Sequence, residues 1–154
     1  MKWKSKSRIH GDSIEKYVAT NVACLYCESI LCTMNTNCPS IDLKCMNCNK
    51  FYQVKGKKVN KYTEKETFKH LGASYETTIK NIDLNIDYIF VYYDSDYKIM
   101  KLNHVKSENI EIVKRKQLSD KARRAGWIGC YIMYSIYQEV DTRKLSATSL
   151  FSYS

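Results

Sequence analysis

An α/β domain, a mixed sheet flanked by helices, is what this sequence predicts, and three observations carry that expectation. Hydrophobic residues make up 44% of the 154 and charged residues 27%, the proportions of one folded domain with a real core. Asp87 to Tyr93 (DYIFVYY) is a continuous apolar and aromatic run closed by Asp94-Ser95-Asp96, as in a central strand covered on both faces. Around it, stretches with three- and four-residue apolar spacing interleave with short stretches of period two, so helices and strands share one layer system.

In chain order, Met1 to Arg8 alternates cations with small or aromatic residues and reads as a mobile basic arm, either touching phosphate or merely solvated. Asp12 with Glu15 three residues on resembles a capping box, and Ile14, Tyr17, Val18 and Val22 fall on one face, which predicts a helix over 13–22. Ser40 to Cys45 alternates, and Lys50 to Lys55 forms a second short strand ended by Gly56. From Tyr62 to Ile82, Phe68, Leu71, Tyr75 and Ile79 keep helical intervals. Gly72 interrupts them, so the expectation is a loop followed by a helix from Ser74. Strands are expected at Tyr97 to Val105 and at Ile110 to Val113. Ser119 can cap a short basic helix through Arg124, and Trp127 to Tyr134 reads as a last strand. No repeat or low-complexity segment occurs and Pro39 is the one proline, so residues 1–140 read as one domain and 141–154 as a tail.

Twenty-five basic against sixteen acidic residues leave a net charge of +9, a field that attracts polyphosphates. The thirteen tyrosines show that lysine belongs to a wider compositional bias, so charge supports a nucleic-acid partner without proving it. No apolar run approaches the roughly 20 residues that span a bilayer, and no apolar stretch follows the basic start. A cytoplasmic, reducing setting without membrane attachment is therefore expected. Six of the seven cysteines crowd between Cys24 and Cys48, which there points to metal ligation rather than disulfides.

Cys24-Leu-Tyr-Cys27 and Cys45-Met-Asn-Cys48 are C-x-x-C pairs with seventeen residues between them, the spacing of four-cysteine zinc sites. Each pair offers two thiolates from a tight turn, and together they complete a tetrahedron. Cys32 and Cys38 lie in the intervening loop and could replace one ligand; they and Cys130 are read as non-ligands. A closed site of this kind leaves no open coordination position, so its zinc would hold the fold and chemistry would lie elsewhere.

Pro39, Asp42, Gln53 and Lys55 form a P-x-x-D followed, after ten intervening residues, by Q-x-K. Metal-assisted phosphodiester hydrolysis needs an acid to hold Mg²⁺, a second ligand on the next strand and an ammonium near the attacking water. Gln53 and Lys55 are two apart and share a strand face, while Val54 can offer its carbonyl. The pattern approximates that of PD-(D/E)XK nucleases. Three stretches extend the likeness: Glu15 leading to Cys24-x-x-Cys27; Asp42 to Cys48 running into Phe51 to Lys58 (FYQVKGKK); and Ala122 to Cys130 (ARRAGWIGC). On these the chain, over residues 8–135, resembles the DpnI-type methyl-directed restriction endonucleases, the Dam-replacing family. The resemblance implies a restriction-endonuclease-like core with one structural Zn²⁺ and catalytic Mg²⁺, acting on double-stranded DNA carrying N6-methyladenine in GATC, as a monomer or weak dimer. It casts Asp42 and Gln53 as magnesium ligands beside the Val54 carbonyl, Lys55 as the catalytic lysine and Glu15 as the helix-borne acid; a plain capping role for Glu15 stays open.

Two departures stand out. Gln53 occupies the place of the usual Glu, keeping a carbonyl oxygen but losing a charge, so a decayed copy that binds methylated DNA without cutting is the alternative. In addition, family members carry a carboxy-terminal winged-helix reader that the residues after Val140 are not expected to form. Arg123, Arg124 and Trp127 read either as DNA contacts or as a buried Trp with Arg stems packed beside it. Lys57 and Lys58, with Lys61 and Lys65, either follow the duplex backbone or sit on a solvated turn.

Overall fold

The computed structural model describes residues 6–34, 41–72, 74–115 and 128–140. Helix α1 (Lys6–Asn21) is followed by β1 (Leu31–Thr33), β2 (Leu43–Cys45), β3 (Phe51–Lys58) and β4 (Phe68–Gly72). Then come α2 (Tyr75–Asp83), β5 (Asp87–Tyr93), β6 (Ile99–Val105), a 3₁₀ turn (Ser107–Asn109), β7 (Glu111–Lys114), β8 (Cys130–Tyr134) and β9 (Gln138–Glu139). Among the described residues the strands form a six-stranded mixed sheet, ordered β1-β2-β3-β5-β6-β9, and a three-stranded antiparallel sheet, β4-β8-β7. The expected α/β architecture with a mixed sheet is present. No described helix is long and apolar enough to cross a membrane.

β3 and β5 pair in parallel, Gln53 beside Tyr88 and Lys55 beside Phe90, and the crossover that a parallel pair requires runs through β4 and α2. Six of the seven β5 residues are buried, because both faces are covered. On one face α1 lays Ile14, Tyr17 and Val18 against Tyr52, Val54, Ile89 and Val91. On the other, the small sheet packs Phe68, Ile132 and Tyr134 against Tyr88, Phe90 and Tyr92. Rings fill that second core: Tyr134 stacks on Phe90 at 4.6 Å and on Phe68 at 4.9 Å.

Several expectations change. Helix α1 begins at Lys6 rather than at residue 13, so Asp12 lies inside it and Lys6 to Arg8 are not part of an arm. A helix once nucleated extends cheaply, and the roughly 1 kcal/mol that Gly11 costs does not stop it before Lys6. Gly56 does not end β3. A Cβ there would lie 2.4 Å from Ile14 Cδ1, so glycine lets α1 approach the strand while the strand continues to Lys58. The stretch before Ser74 contains strand β4, whose inward positions are Phe68, His70 and Gly72. β6 starts at Ile99, after Tyr97 takes a left-handed turn conformation (φ 60°) and Asp94 Oδ1 accepts from the Asp96 and Lys98 amides. The expected helix from Ser119 to Arg124 lies outside the described residues.

Helix α2 forms as its sequence dictates. The Ser74 hydroxyl accepts from Thr77 N, Glu76 sits in the first turn and Lys80 in the last, and Asn85 (φ 56°) turns the chain out.

His70 is buried and joined to the Tyr92 hydroxyl at 2.7 Å. Burial first, then Lys57, Lys55 and Lys65, lower its pKa from 6.5 to about 3. In the unfolded chain the imidazole charges at the ordinary value, so its contribution is complete above 6.5 and lost as pH falls towards 3. Urea midpoints across that window are expected to fall more steeply for the wild type than for His70→Gln; parallel slopes would contradict the assignment.

Candidate functional site

The two C-x-x-C pairs meet. Cys24 follows α1, and its turn is closed by Cys24 N to Ser29 O and Glu28 N to Cys24 O, both 2.8 Å, with Glu28 left-handed at φ 63°. Cys45 ends β2, and the amides of Asn47 and Cys48 point at its sulfur at 3.4 and 3.5 Å before Asn49 (φ 61°) reverses the chain. All four Sγ atoms lie within 4.8 Å of one another. The Cys24–Cys48 and Cys27–Cys45 separations are 3.7 and 3.4 Å. A tetrahedron with metal–sulfur bonds of about 2.3 Å has edges of about 3.8 Å, so the cluster can hold a metal such as zinc.

Thiols this close do not ionise independently. The Ser29 amide draws Cys27 down to about 6. Cys48 is pushed up to about 12: the Lys50 amide favours its thiolate, but burial and bonds to Cys45, Cys27 and Cys24 outweigh it. Cys32 lies outside the cluster against the Met46 sulfur, and Cys130 is buried beside Thr78 in the second core. Cys38 lies outside the described residues.

A buried polar network ties this cluster to the sheet. Asp87, 1% exposed at the start of β5, accepts from Tyr26 within the first knuckle, from His104 Nε2 at 2.7 Å, from Lys50 Nζ at 3.1 Å and from Ser107 N at 3.1 Å. Burial opposes its charge, but these donors win and hold the carboxyl below its ordinary range. The Tyr52 hydroxyl reaches Cys24 Sγ at 3.1 Å. Sequence reading treated Asp87 only as the edge of a strand; its acidity beside an apolar run was the available signal.

The second assembly forms where β2 parts from β3. Asp42 N donates to Tyr52 O at 2.9 Å, and one residue pair further the Asp42 carboxylate itself accepts from Val54 N at 2.7 Å. The side chain thus takes a place that a ladder carbonyl would otherwise hold. Glu15, carried by α1 beside the Ile14–Gly56 contact, hydrogen-bonds to Asp42, and Lys55 lies close enough to favour the ionised form. Burial nevertheless raises the Asp42 pKa, against the Val54 amide, Glu15 and Lys55. Two acids in contact, one of them partly desolvated, form a donor set for a hard cation.

Gln53 and Lys55 turn to the α2 side and line a hollow of about 160 Å³ with Ser74, Thr77, Thr78 and Asn81. There the Gln53 side-chain oxygen accepts from Asn81 Nδ2 at 2.8 Å. Asn81, 3% exposed on the inner face of α2, was missed by sequence reading; its phase with Thr78 on the helix was the signal. Lys57 shares the Lys55 face, and its ammonium donates to Lys69 O at 3.2 Å. Lys58 points to the opposite face and lies 5.1 Å from the Tyr97 ring centroid. Arg123, Arg124 and Trp127 lie outside the described residues.

A family model described as DpnI, Dam-replacing family, matches residues 1–142. The chain belongs to the Dam-replacing family. That family is associated with methyl-directed restriction-type endonucleases, and membership implies DNA as the substrate. Its match spans both the thiol cluster and the Glu15–Asp42–Lys55 group.

Elemental analysis of the purified protein is expected to find zinc bound to each chain. Cys45→Ala, which removes a buried ligand, should lose that metal and lower the melting temperature, whereas Cys32→Ala should do neither.

Proposed function

We propose that the chain is a magnesium-dependent DNA endonuclease of the PD-(D/E)XK type, directed to adenine-methylated GATC, with a zinc-filled thiol cluster as structural support. The observation that carries this reading is the convergence of Asp42, Glu15 and Lys55 at the fork between β2 and β3. Asp42, Gln53 and the Val54 carbonyl would hold the cation, with Glu15 adjoining. In a strand, the N–H and C=O of one residue project to the same side, so the Val54 bond to Asp42 is consistent with a carbonyl facing that site. Bound there, Mg²⁺ supplies Lewis acidity towards the scissile phosphate and acidifies a water.

The protein's own groups do the rest. The Val54 amide fixes one Asp42 oxygen, and Glu15 holds the carboxyl from the α1 side. Lys55 donates from its ammonium to the attacking water and to the phosphoryl oxygen on which charge accumulates. The thiol cluster holds β2 against the end of α1, so that Asp42 and Glu15 keep their separation.

Lys55→Ala should lower cleavage of methylated plasmid by at least about 100-fold. Its zinc content should be unchanged, and a variant that cuts normally would sink the assignment.

A catalytically decayed, DNA-binding copy is the second reading, favoured by the neutral Gln53 and by the bond that its oxygen accepts from Asn81. Gln53→Glu restores the missing charge. In a nuclease it should lower the magnesium concentration needed for half-maximal cleavage by roughly 10-fold, the effect of about 1.4 kcal/mol. In a pure binder neither cleavage nor magnesium response should emerge.

A further inference from the structure

Lys55 also borders a second, larger cavity of about 400 Å³, lined with it by Lys57, Lys69, His70, Leu71 and Tyr131. It lies where the end of β3 faces the exposed side of β4 and β8. Three ammonium-bearing side chains border it, and each of the outer two is held without being neutralised. Lys57 donates to the Lys69 carbonyl at 3.2 Å, and the Lys69 ammonium sits 3.9 Å from the centroid of the Tyr131 ring. A carbonyl and a π face orient a cation but do not discharge it. Among the described residues, neither Lys57 nor Lys69 pairs with a carboxylate.

Their field is felt inside the protein. In the cavity wall, burial and then Lys57, Lys55 and Lys65 disfavour a proton on His70. A concave surface that keeps cations uncompensated lowers the energy of an anion entering it. Lys55 and Lys57, two residues apart on one strand face, stand about 6.6 Å apart along β3, on the order of the separation of consecutive phosphates in one nucleic-acid strand. Leu71, 65% exposed, and the Tyr131 ring supply an apolar wall beside these charges, which suits the sugar that joins two phosphates.

We propose that this cavity seats the phosphodiester next to the scissile one on the strand being cut, with Lys57 and Lys69 on its oxygens and Tyr131 holding the Lys69 ammonium in place. The site rests on the nuclease reading for its orientation but is tested by binding, so the two can fail separately.

Binding of a short fluorescein-labelled duplex containing one adenine-methylated GATC would be followed by anisotropy, with Ca²⁺ replacing Mg²⁺, over a salt series. Lys69→Ala, at an exposed position, should fold and retain zinc, bind about 5- to 10-fold more weakly and reduce the slope of log affinity against log salt by about 1. Lys69→Arg should restore that slope. Tyr131→Leu should weaken binding by a smaller factor with the slope kept, because the charge remains while its platform is gone. A neutral methylphosphonate beside the cut position should cost the wild type the same factor and Lys69→Ala nothing further. Unchanged affinity and salt slope in Lys69→Ala would overturn the cavity assignment even if the wild type cuts DNA. The full Lys69 effect in a protein that never cuts would uphold the cavity and remove the nuclease reading instead.

Discussion

Four thiols drawn to one centre are the constraint on which the rest of this structure depends. β1 and β2 are three residues each, too short to hold a register by themselves, yet β2 leads into the strand bearing Gln53 and Lys55. The cluster joins the exit of α1 to the end of β2, and Asp87 extends that junction to β5 through Tyr26, Lys50 and His104. A metal held there would contribute directly to folding, since an unfolded chain offers no such site. Because Cys24 follows α1 directly, the cluster also fixes the end of the helix that carries Glu15.

β3 is used on both faces and on one edge. Its Tyr52 and Val54 face α1, where Gly56 leaves the room that the end of the Ile14 side chain occupies. Its Gln53, Lys55 and Lys57 face α2 and the small sheet, where the hollows lie. The edge left open by the departure of β2 is filled by the Asp42 carboxylate. Glu15 reaches that edge from the α1 side, and Lys55 lies near enough to Asp42 to favour its charge.

The second core combines hydrogen-bonded rings with aliphatic side chains such as Val105, Ile110 and Ile132. His70, Tyr92, Tyr134 and Asn103 are linked in sequence, so tyrosines that a composition count would assign to the surface have their hydroxyls satisfied inside. This network supports the wall of the lysine-lined cavity, where burial and the lysines disfavour a proton on His70.

The sequence by itself determined the elements whose signals are local. The two knuckles follow from C-x-x-C spacing, α2 from the Ser74 cap, and β5 from a run of apolar residues buried on both faces. The charge of the Gln53–Lys55 face followed from strand parity alone. What required tertiary structure were features in which the local pattern is silent or inverted. β4 places His70 and Gly72 inward and Lys69 and Leu71 outward, so its hydrophobic alternation runs against its burial and no period announces it. The start of α1 lay hidden because helix extension through Lys6 to Asp12 needs no cap at Asp12. Most of all, the contact of Glu15 with Asp42 and the bond from Asn81 to Gln53 join residues far apart in the chain. Spacing rules describe one strand or one turn, whereas the meeting of α1, β2 and α2 around β3 is decided by the packing of all four.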